Sequence, residues 1–172
     1  MTVSEVLSAV NNLSDQNGQR RVDLVELPGG EPLLQAEIYP LLDSLIENGY
    51  RVLIETSGER DISQLPESVV RIVDVKCPGS GEGDTFHAGN LNVLSQKDQL
   101  KFVLVNRQDY DYACLFLDKN KATVKVGTVI FSPVYGQLEP RTLARWILDD
   151  GLPVRLGMQL HKFIWDPQER GV

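Results

Sequence analysis

Gly29-Gly30-Glu31-Pro32 places two residues without a Cβ directly ahead of a carboxylate and of a ring that fixes φ. Adjacent glycines let the backbone take positive φ and approach a ligand closely. A carboxylate is a strong acceptor for a charged N–H donor. The pattern suits a ligand carrying an ammonium group, although an ordinary β-to-α turn uses the same residue types. Similar groups recur after later apolar runs. Glu55 and Ser57 follow the run at 51–55, and Lys76, Cys77 and Pro78 open a glycine-rich loop at 76–84. Asn106 closes the run at 100–106, and Ser132 leads into Pro133, Val134, Tyr135 and Gly136. Gln159, His161 and Lys162 end the series. Taken singly, His161 could be a hydrogen-bonded core histidine, Lys162 a solvated charge and Ser57-Gly58 a plain turn.

The elements that must position these residues alternate between helix and strand. Val3, Val6, Leu7, Val10 and Leu13 make one face of an opening helix that Asn17-Gly18 is expected to end. Strands are expected at 22–27, 51–55, 71–75, 100–106, 124–131 and 154–160. Helices are expected from 37 to 48, with Gly49 as the C-terminal cap, from 108 to 117, and from 141 to 149 behind Pro140. A helical turn fits 90–94, and a polar tail follows Lys162. Strands separated by helices imply βαβ units and a mostly parallel sheet with right-handed crossovers. In such folds ligands bind at the C-terminal ends of the strands, so the polar and glycine residues above are expected to share one face. The series opens on a helix that feeds directly into a strand, the second half of a βα unit, so a strand is expected upstream.

Composition bounds the class. The chain of 172 residues is 42% hydrophobic and 24% charged, ordinary for one soluble globular domain spanning 1–172. A formal charge of −7 without a basic cluster argues against a nucleic-acid surface. No apolar run is long enough to span a bilayer, and the N-terminus lacks the regions of a signal peptide, which points to the cytoplasm. Cys77 and Cys114 stand far apart, so neither a disulfide framework nor a zinc site is indicated. Cys77 reads as an inert thiol, and Cys114 and Trp146 as core.

The combination Gly29-Gly30-Glu31-Pro32, Glu55-Thr56-Ser57-Gly58 and Asp74-Val75-Lys76-Cys77-Pro78-Gly79-Ser80-Gly81-Glu82 resembles the 7-carboxy-7-deazaguanine synthases, radical S-adenosylmethionine enzymes. Ser132-Pro133-Val134 and the ending Gln159-Leu160-His161-Lys162-Phe163-Ile164-Trp165 extend the resemblance from about residue 2 to the C-terminus. It implies an α/β fold, an incomplete parallel (β/α) barrel of the radical S-adenosylmethionine type with about six strands and its first strand missing. It also implies a carbon–nitrogen lyase of queuosine biosynthesis. That family converts 6-carboxy-5,6,7,8-tetrahydropterin to 7-carboxy-7-deazaguanine with loss of ammonia, using S-adenosylmethionine, a [4Fe–4S] cluster and Mg²⁺. Homodimers are the rule.

Carried over by position, Gly29, Gly30 and Glu31 would hold the amino group of S-adenosylmethionine, and Ser57 its ribose or carboxylate side. Lys76, Cys77, Pro78, Ser132, Pro133, Val134 and Tyr135 would line the rest of that cofactor. Gln159, His161 and Lys162 would lie near the pterin, with Pro28 at the substrate end. Two departures stand out. No three-cysteine motif is present, and with it go the cluster ligands, the magnesium-contacting hydroxyl and the arginine that grips the substrate carboxylate; Cys77 and Cys114 match no ligand position. Pro28 replaces the usual Thr or Ser and offers neither hydroxyl nor N–H. The expectation is a chain inactive by itself for lack of cluster cysteines. The alternatives are a non-catalytic protein that binds S-adenosylmethionine or a pterin, and an unrelated barrel binding a phosphorylated metabolite at the same face.

Overall fold

The computed structural model describes residues 1–83 and 85–169, so Asp84 of the glycine-rich loop lies outside the described residues. Helix α1 (Val3–Ser14) opens on a capping box: the Thr2 hydroxyl accepts from the Glu5 amide and the Glu5 carboxylate accepts from the Thr2 amide. Two short strands follow, β1 (Asp15–Gln16) and β2 (Gln19–Arg20), paired antiparallel. Asn17-Gly18, expected to end the helix, is instead the hairpin turn between them. Both residues take positive φ, 53° and 74°, the conformation that favours an Asn-Gly pair in a tight hairpin.

The body of the molecule is a six-stranded sheet in the order β3 to β8, every neighbouring pair parallel. Its strands are β3 (Leu24–Leu27), β4 (Arg51–Thr56), β5 (Val70–Asp74), β6 (Gln99–Leu104), β7 (Thr128–Pro133) and β8 (Arg155–Leu156). Helix α2 (Ile38–Glu47) connects β3 to β4, α3 (Arg107–Asn120) connects β6 to β7, and α4 (Pro140–Asp149) connects β7 to β8. Consecutive parallel pairing with helices on the crossovers is the construction of a (β/α) barrel. Here β3 and β8 remain the two edges, so the sheet is not closed.

Four expectations at element ends are corrected. The last strand is two residues long rather than seven, and a short helix α5 (His161–Ile164) stands where the polar tail was expected. Strand β7 starts at Thr128, not 124. Strand β6 stops at Leu104 because Asn106 is the N-cap of α3, its side chain accepting from the Asp109 amide. Asn106 is therefore committed to the helix start.

Alternation along the strands decides where the core sits. In β6 (Gln-Leu-Lys-Phe-Val-Leu), Leu100, Phe102 and Leu104 are buried, whereas Gln99, Lys101 and Val103 are half-buried on the other face. Val52 and Ile54 of β4 likewise turn into the core, and Arg51, Leu53 and Glu55 away from it. Parallel sheets covered on both faces read as near-continuous apolar runs, so this alternation marks one face packed under helices and one lining open space. On the packed side Phe102 sits edge-on to both Phe116 and Phe131, at 5.6 and 5.5 Å between ring centroids, and Tyr110 continues the cluster to Phe131 and Trp146. Trp146 and Cys114 pack against this core without being fully buried.

Truncating Phe102 to Ala removes the ring at the centre of this cluster. The expected cost is about 3–5 kcal/mol, read as a lower urea midpoint with an unchanged m-value; a loss below about 1 kcal/mol would show that the aromatic cluster does not hold the helices to the sheet.

Candidate functional site

Glu31 is the residue around which the ends of the first two parallel strands are joined. After β3 the chain turns through Gly29 and Gly30, at φ 88° and 39°. Nothing lies within 4 Å of where a Cβ would stand on either. Their requirement is conformational, and the space above them is open. The turn delivers Glu31 as the N-cap of a 3-10 turn (Pro32–Leu34), its Oε1 accepting from the Leu33 amide at 3.0 Å. The same carboxylate accepts from the Thr56 hydroxyl at 2.9 and 2.7 Å, the Ser57 amide at 2.9 Å and the Ser57 hydroxyl at 2.6 Å. A carboxylate offers about four lone-pair sites, and four donors fill them. Burial acts to raise the Glu31 pKa, but the hydroxyls of Ser57 and Thr56 and the amides of Leu33 and Ser57 together outweigh it and hold the carboxyl below its ordinary 4.5.

The turn after Ser57 is equally constrained. Gly58 has φ 73°, and a Cβ there would stand 2.6 Å from Val73 Cγ1 and 3.0 Å from the Phe86 ring.

The opposite wall is the loop that leaves β5. Lys76 Nζ donates to Asp74 Oδ2 at 2.9 Å, while Asp74 Oδ1 is buried without a hydrogen-bond partner. Burial opposes the charge on Lys76, but Asp74, then Glu82 and Glu55, more than compensate and raise its pKa, so the ammonium stays charged at neutral pH. Between the walls lies a cleft of about 670 Å³ lined by Gly30, Glu31, Leu34, Ser57, Glu59, Lys76, Gly81, Glu82, Gly83 and Thr85. Its size suits a small-molecule ligand.

Two smaller cavities share Pro133, Met158 and Gln159, one on the open face of the sheet and one beyond the end of β7 beside the start of α4. One, of about 230 Å³, contains Glu26, Ser132 and the ion pair of Lys101 with Glu55, at 2.6 Å. The other, of about 270 Å³, contains Tyr135 and Phe163, whose rings meet edge-on at 5.5 Å.

The expected site residues thus gather in two places: Gly30, Glu31, Ser57 and Lys76 in the large cleft, and Ser132, Pro133, Tyr135 and Gln159 in the smaller cavities. Pro28, Gly29, Cys77, Pro78, Val134, His161 and Lys162 line none of the three. Cys77 is buried in the core, and burial first, then Asp109 and Asp74, push its thiol up to about 12, as its inert reading requires. Lys162 donates to its own tail at the Pro167 carbonyl and sits 5.9 Å from the Tyr135 ring centroid. Sequence reasoning missed Thr56, Glu26 and Lys101. Thr56 stood inside a quoted motif, and Lys101 was signalled by a charge alternating with Leu100 and Phe102.

No group of three or more His, Cys, Asp or Glu side chains among the described residues is arranged to hold a metal ion. Cys77 is locked in the core, and Cys114 is a half-buried thiol on α3 whose pKa burial raises. The two do not fit an iron–sulfur cluster, which needs several Cys thiolates.

Known proteins similar to this chain agree with one another. A 7-carboxy-7-deazaguanine synthase of Koribacter versatilis is 44% identical over the whole chain, which covers 79% of that relative. The chain belongs to the 7-carboxy-7-deazaguanine synthase family. The Chlorobaculum tepidum synthase is 40% identical over 86% of the chain, and the chain covers 68% of it. No protein-family model matches. Among solved structures, QueE from Escherichia coli superposes over 92% of the chain with a TM-score of 0.67 at 18% identity, and the chain spans 64% of its length. SuiB from Streptococcus suis, in a crystal structure bound to S-adenosylmethionine, superposes over the same share with a TM-score of 0.63 at 12% identity, and the chain spans 44% of it. These two establish the fold alone. No helix among the described residues is long and apolar enough to cross a membrane.

The Glu31 junction has a pH signature. Its folded-state pKa lies below the unfolded value near 4.5, so its contribution is fully present above that value and is lost as pH falls through the lower folded one. Glu31→Gln is expected to cost about 2 kcal/mol at pH 7, with the gap to the parent chain narrowing in urea unfolding as the pH falls below the unfolded value of 4.5. A gap of equal size at pH 7 and pH 3.5 would contradict the assignment.

Proposed function

We propose that this chain binds S-adenosylmethionine in the cleft between Glu31 and the 76–83 loop, and takes a carboxylated tetrahydropterin on the neighbouring polar face of the sheet. It would thereby serve the family reaction, ring contraction of 6-carboxy-5,6,7,8-tetrahydropterin to 7-carboxy-7-deazaguanine. The observation that carries this reading is the convergence of Gly30, Glu31, Ser57 and Lys76 on one cleft of about 670 Å³, in a chain 44% identical to a named synthase.

S-adenosylmethionine, when bound, supplies the hydrogen-abstracting chemistry of the family; the residues here bind and orient it. Lys76, charged and half-buried, offers the cofactor carboxylate a cation. Glu59 and Glu82 offer anions in the same cleft for the ammonium. Glu31, already accepting four donors, keeps Gly29 and Gly30 in the left-handed turn that presents bare backbone to the same ammonium. Ser57, tied to Glu31 through both its amide and its hydroxyl, is set at the ribose side. On the polar face, Gln159 and Ser132 are available to pterin ring atoms. The Lys101–Glu55 pair puts both signs of charge within reach of a ring bearing amine donors and carbonyl acceptors. His161 and Lys162 belong to this half of the proposal through the α5 segment, and Pro28 through the strand end beside Gly29. The family's [4Fe–4S] cluster and Mg²⁺ require ligands other than Cys77 and Cys114. A single domain, a homodimer and a cytoplasmic location complete the proposal.

Isothermal titration tests it. S-adenosylmethionine is expected to bind the parent chain, and Lys76→Ala to weaken binding about tenfold, the equivalent of one charge-assisted hydrogen bond. Light scattering on the same sample is expected to return the mass of a dimer; a monomer mass would remove the homodimer. No heat with the parent chain, or equal affinity in the variant, would overturn the cofactor assignment.

A further inference from the structure

Asp109 is completely buried in the first turn of α3, and both of its carboxylate oxygens are spent on backbone amides from two different segments. Oδ1 accepts from the Gly79 amide at 2.8 Å, and Oδ2 from the Val105 amide at 2.9 Å. Gly79 lies at the centre of the 3-10 turn Pro78–Ser80, inside the loop whose Lys76, Gly81, Glu82 and Gly83 wall the large cleft. Val105 is the first residue after β6. One side chain therefore ties the cleft wall to the end of the adjacent strand and to the start of a helix of fourteen residues.

The fit is close on both sides. A Cβ on Gly79 would stand 2.5 Å from Asp109 Oδ2 and 3.0 Å from Oδ1, so only glycine lets this amide reach the carboxylate. The Asp109 amide is itself held by the Asn106 cap at 3.1 Å, which fixes the side chain from below. A negative charge in the first turn is also favoured by the helix dipole. The rest of the turn closes on itself: the Ser80 hydroxyl donates to the Cys77 carbonyl at 2.6 Å, and the Ser80 amide to the same oxygen at 3.0 Å. These bonds shape the turn; beside the buried Cys77 at its start, Asp109 supplies the hydrogen bond that ties the turn to α3 and to the end of β6.

We infer that Asp109 is a positioning residue that sets where the 76–83 wall stands opposite Glu31, and so sets the width of the ligand cleft. It touches no ligand atom itself. The inference rests on the reading of that cleft as the S-adenosylmethionine site. Asparagine is nearly isosteric but can present only one acceptor oxygen to two amides; the other amide would face an NH₂ donor, so one of the two ties must break.

The test combines two variants with two measurements on the full chain. In Asp109→Asn, amide hydrogen exchange is expected to rise at least about tenfold in segment 76–83, with exchange in α3 beyond its first turn unchanged. The dissociation constant for S-adenosylmethionine is expected to rise by a similar factor. Gly79→Ala attacks the same contact from the loop side and is expected to reproduce both changes, which keeps the inference testable if the buried asparagine impairs folding. A merely structural role would instead raise exchange throughout α3 and β6. Unchanged exchange at 76–83 in the folded variants overturns the inference. If the parent chain binds no S-adenosylmethionine, the functional reading fails, and the positioning role is then judged by hydrogen exchange alone.

Discussion

Four hydrogen-bond donors on one carboxylate hold the site together. Glu31 takes donors from the turn that follows it and from the end of the neighbouring strand, and its pKa falls because those donors outweigh burial. Without it, the turn after β3 would lose its hydrogen bonds to the end of β4, and Ser57 would lose the acceptor for both its amide and its hydroxyl. Parallel strands joined by helices leave their C-terminal ends as separate loops. A side chain that crosses between two such loops converts them into one rigid edge. Asp109 makes the equivalent crossing on the far side, from α3 to the loop after β5.

Between these two carboxylates lies a cleft whose own charges are mixed. Lys76 is held cationic mainly by Asp74, and Glu59 and Glu82 bring the opposite sign. A zwitterionic ligand is matched by such a lining better than a simple anion is, because each charged end finds its complement. The polar side of the sheet follows the same logic. The Lys101–Glu55 pair is only about a quarter exposed at each side chain. It occupies positions where a sheet covered on both faces would place valine or isoleucine.

Much of this was legible in the residues. The alternation of helix and strand and the parallel sheet follow from spacing, and the long helices were located to within a few residues. What failed did so for identifiable reasons. Asn17-Gly18 reads equally as a helix stop or a hairpin turn, and only the pairing of Asp15 with Arg20 decides between them. Strand 154–160 shrank to Arg155–Leu156 because an edge strand has one neighbour to pair with, and the apolar residues after it turn back in α5. Asn106 looked like a pocket residue and is a helix cap, since a cap is defined by the helix that follows it and not by the strand before it. Glu31 reads in the sequence as an open acceptor for an ammonium group, but its partners Thr56 and Ser57 lie 25 and 26 residues away. No local pattern reports that the acceptor is already filled. Asp109 left no sequence signal at all, because its two partners, Gly79 and Val105, are joined only by the fold.

The most direct test of the central claim is a hydrogen-exchange map of the chain with and without S-adenosylmethionine. Protection on adding the cofactor should concentrate in residues 28–34, 56–60 and 76–83, the segments that Glu31 and Asp109 bind together. Protection elsewhere, for example confined to α4 and α5, would contradict the account.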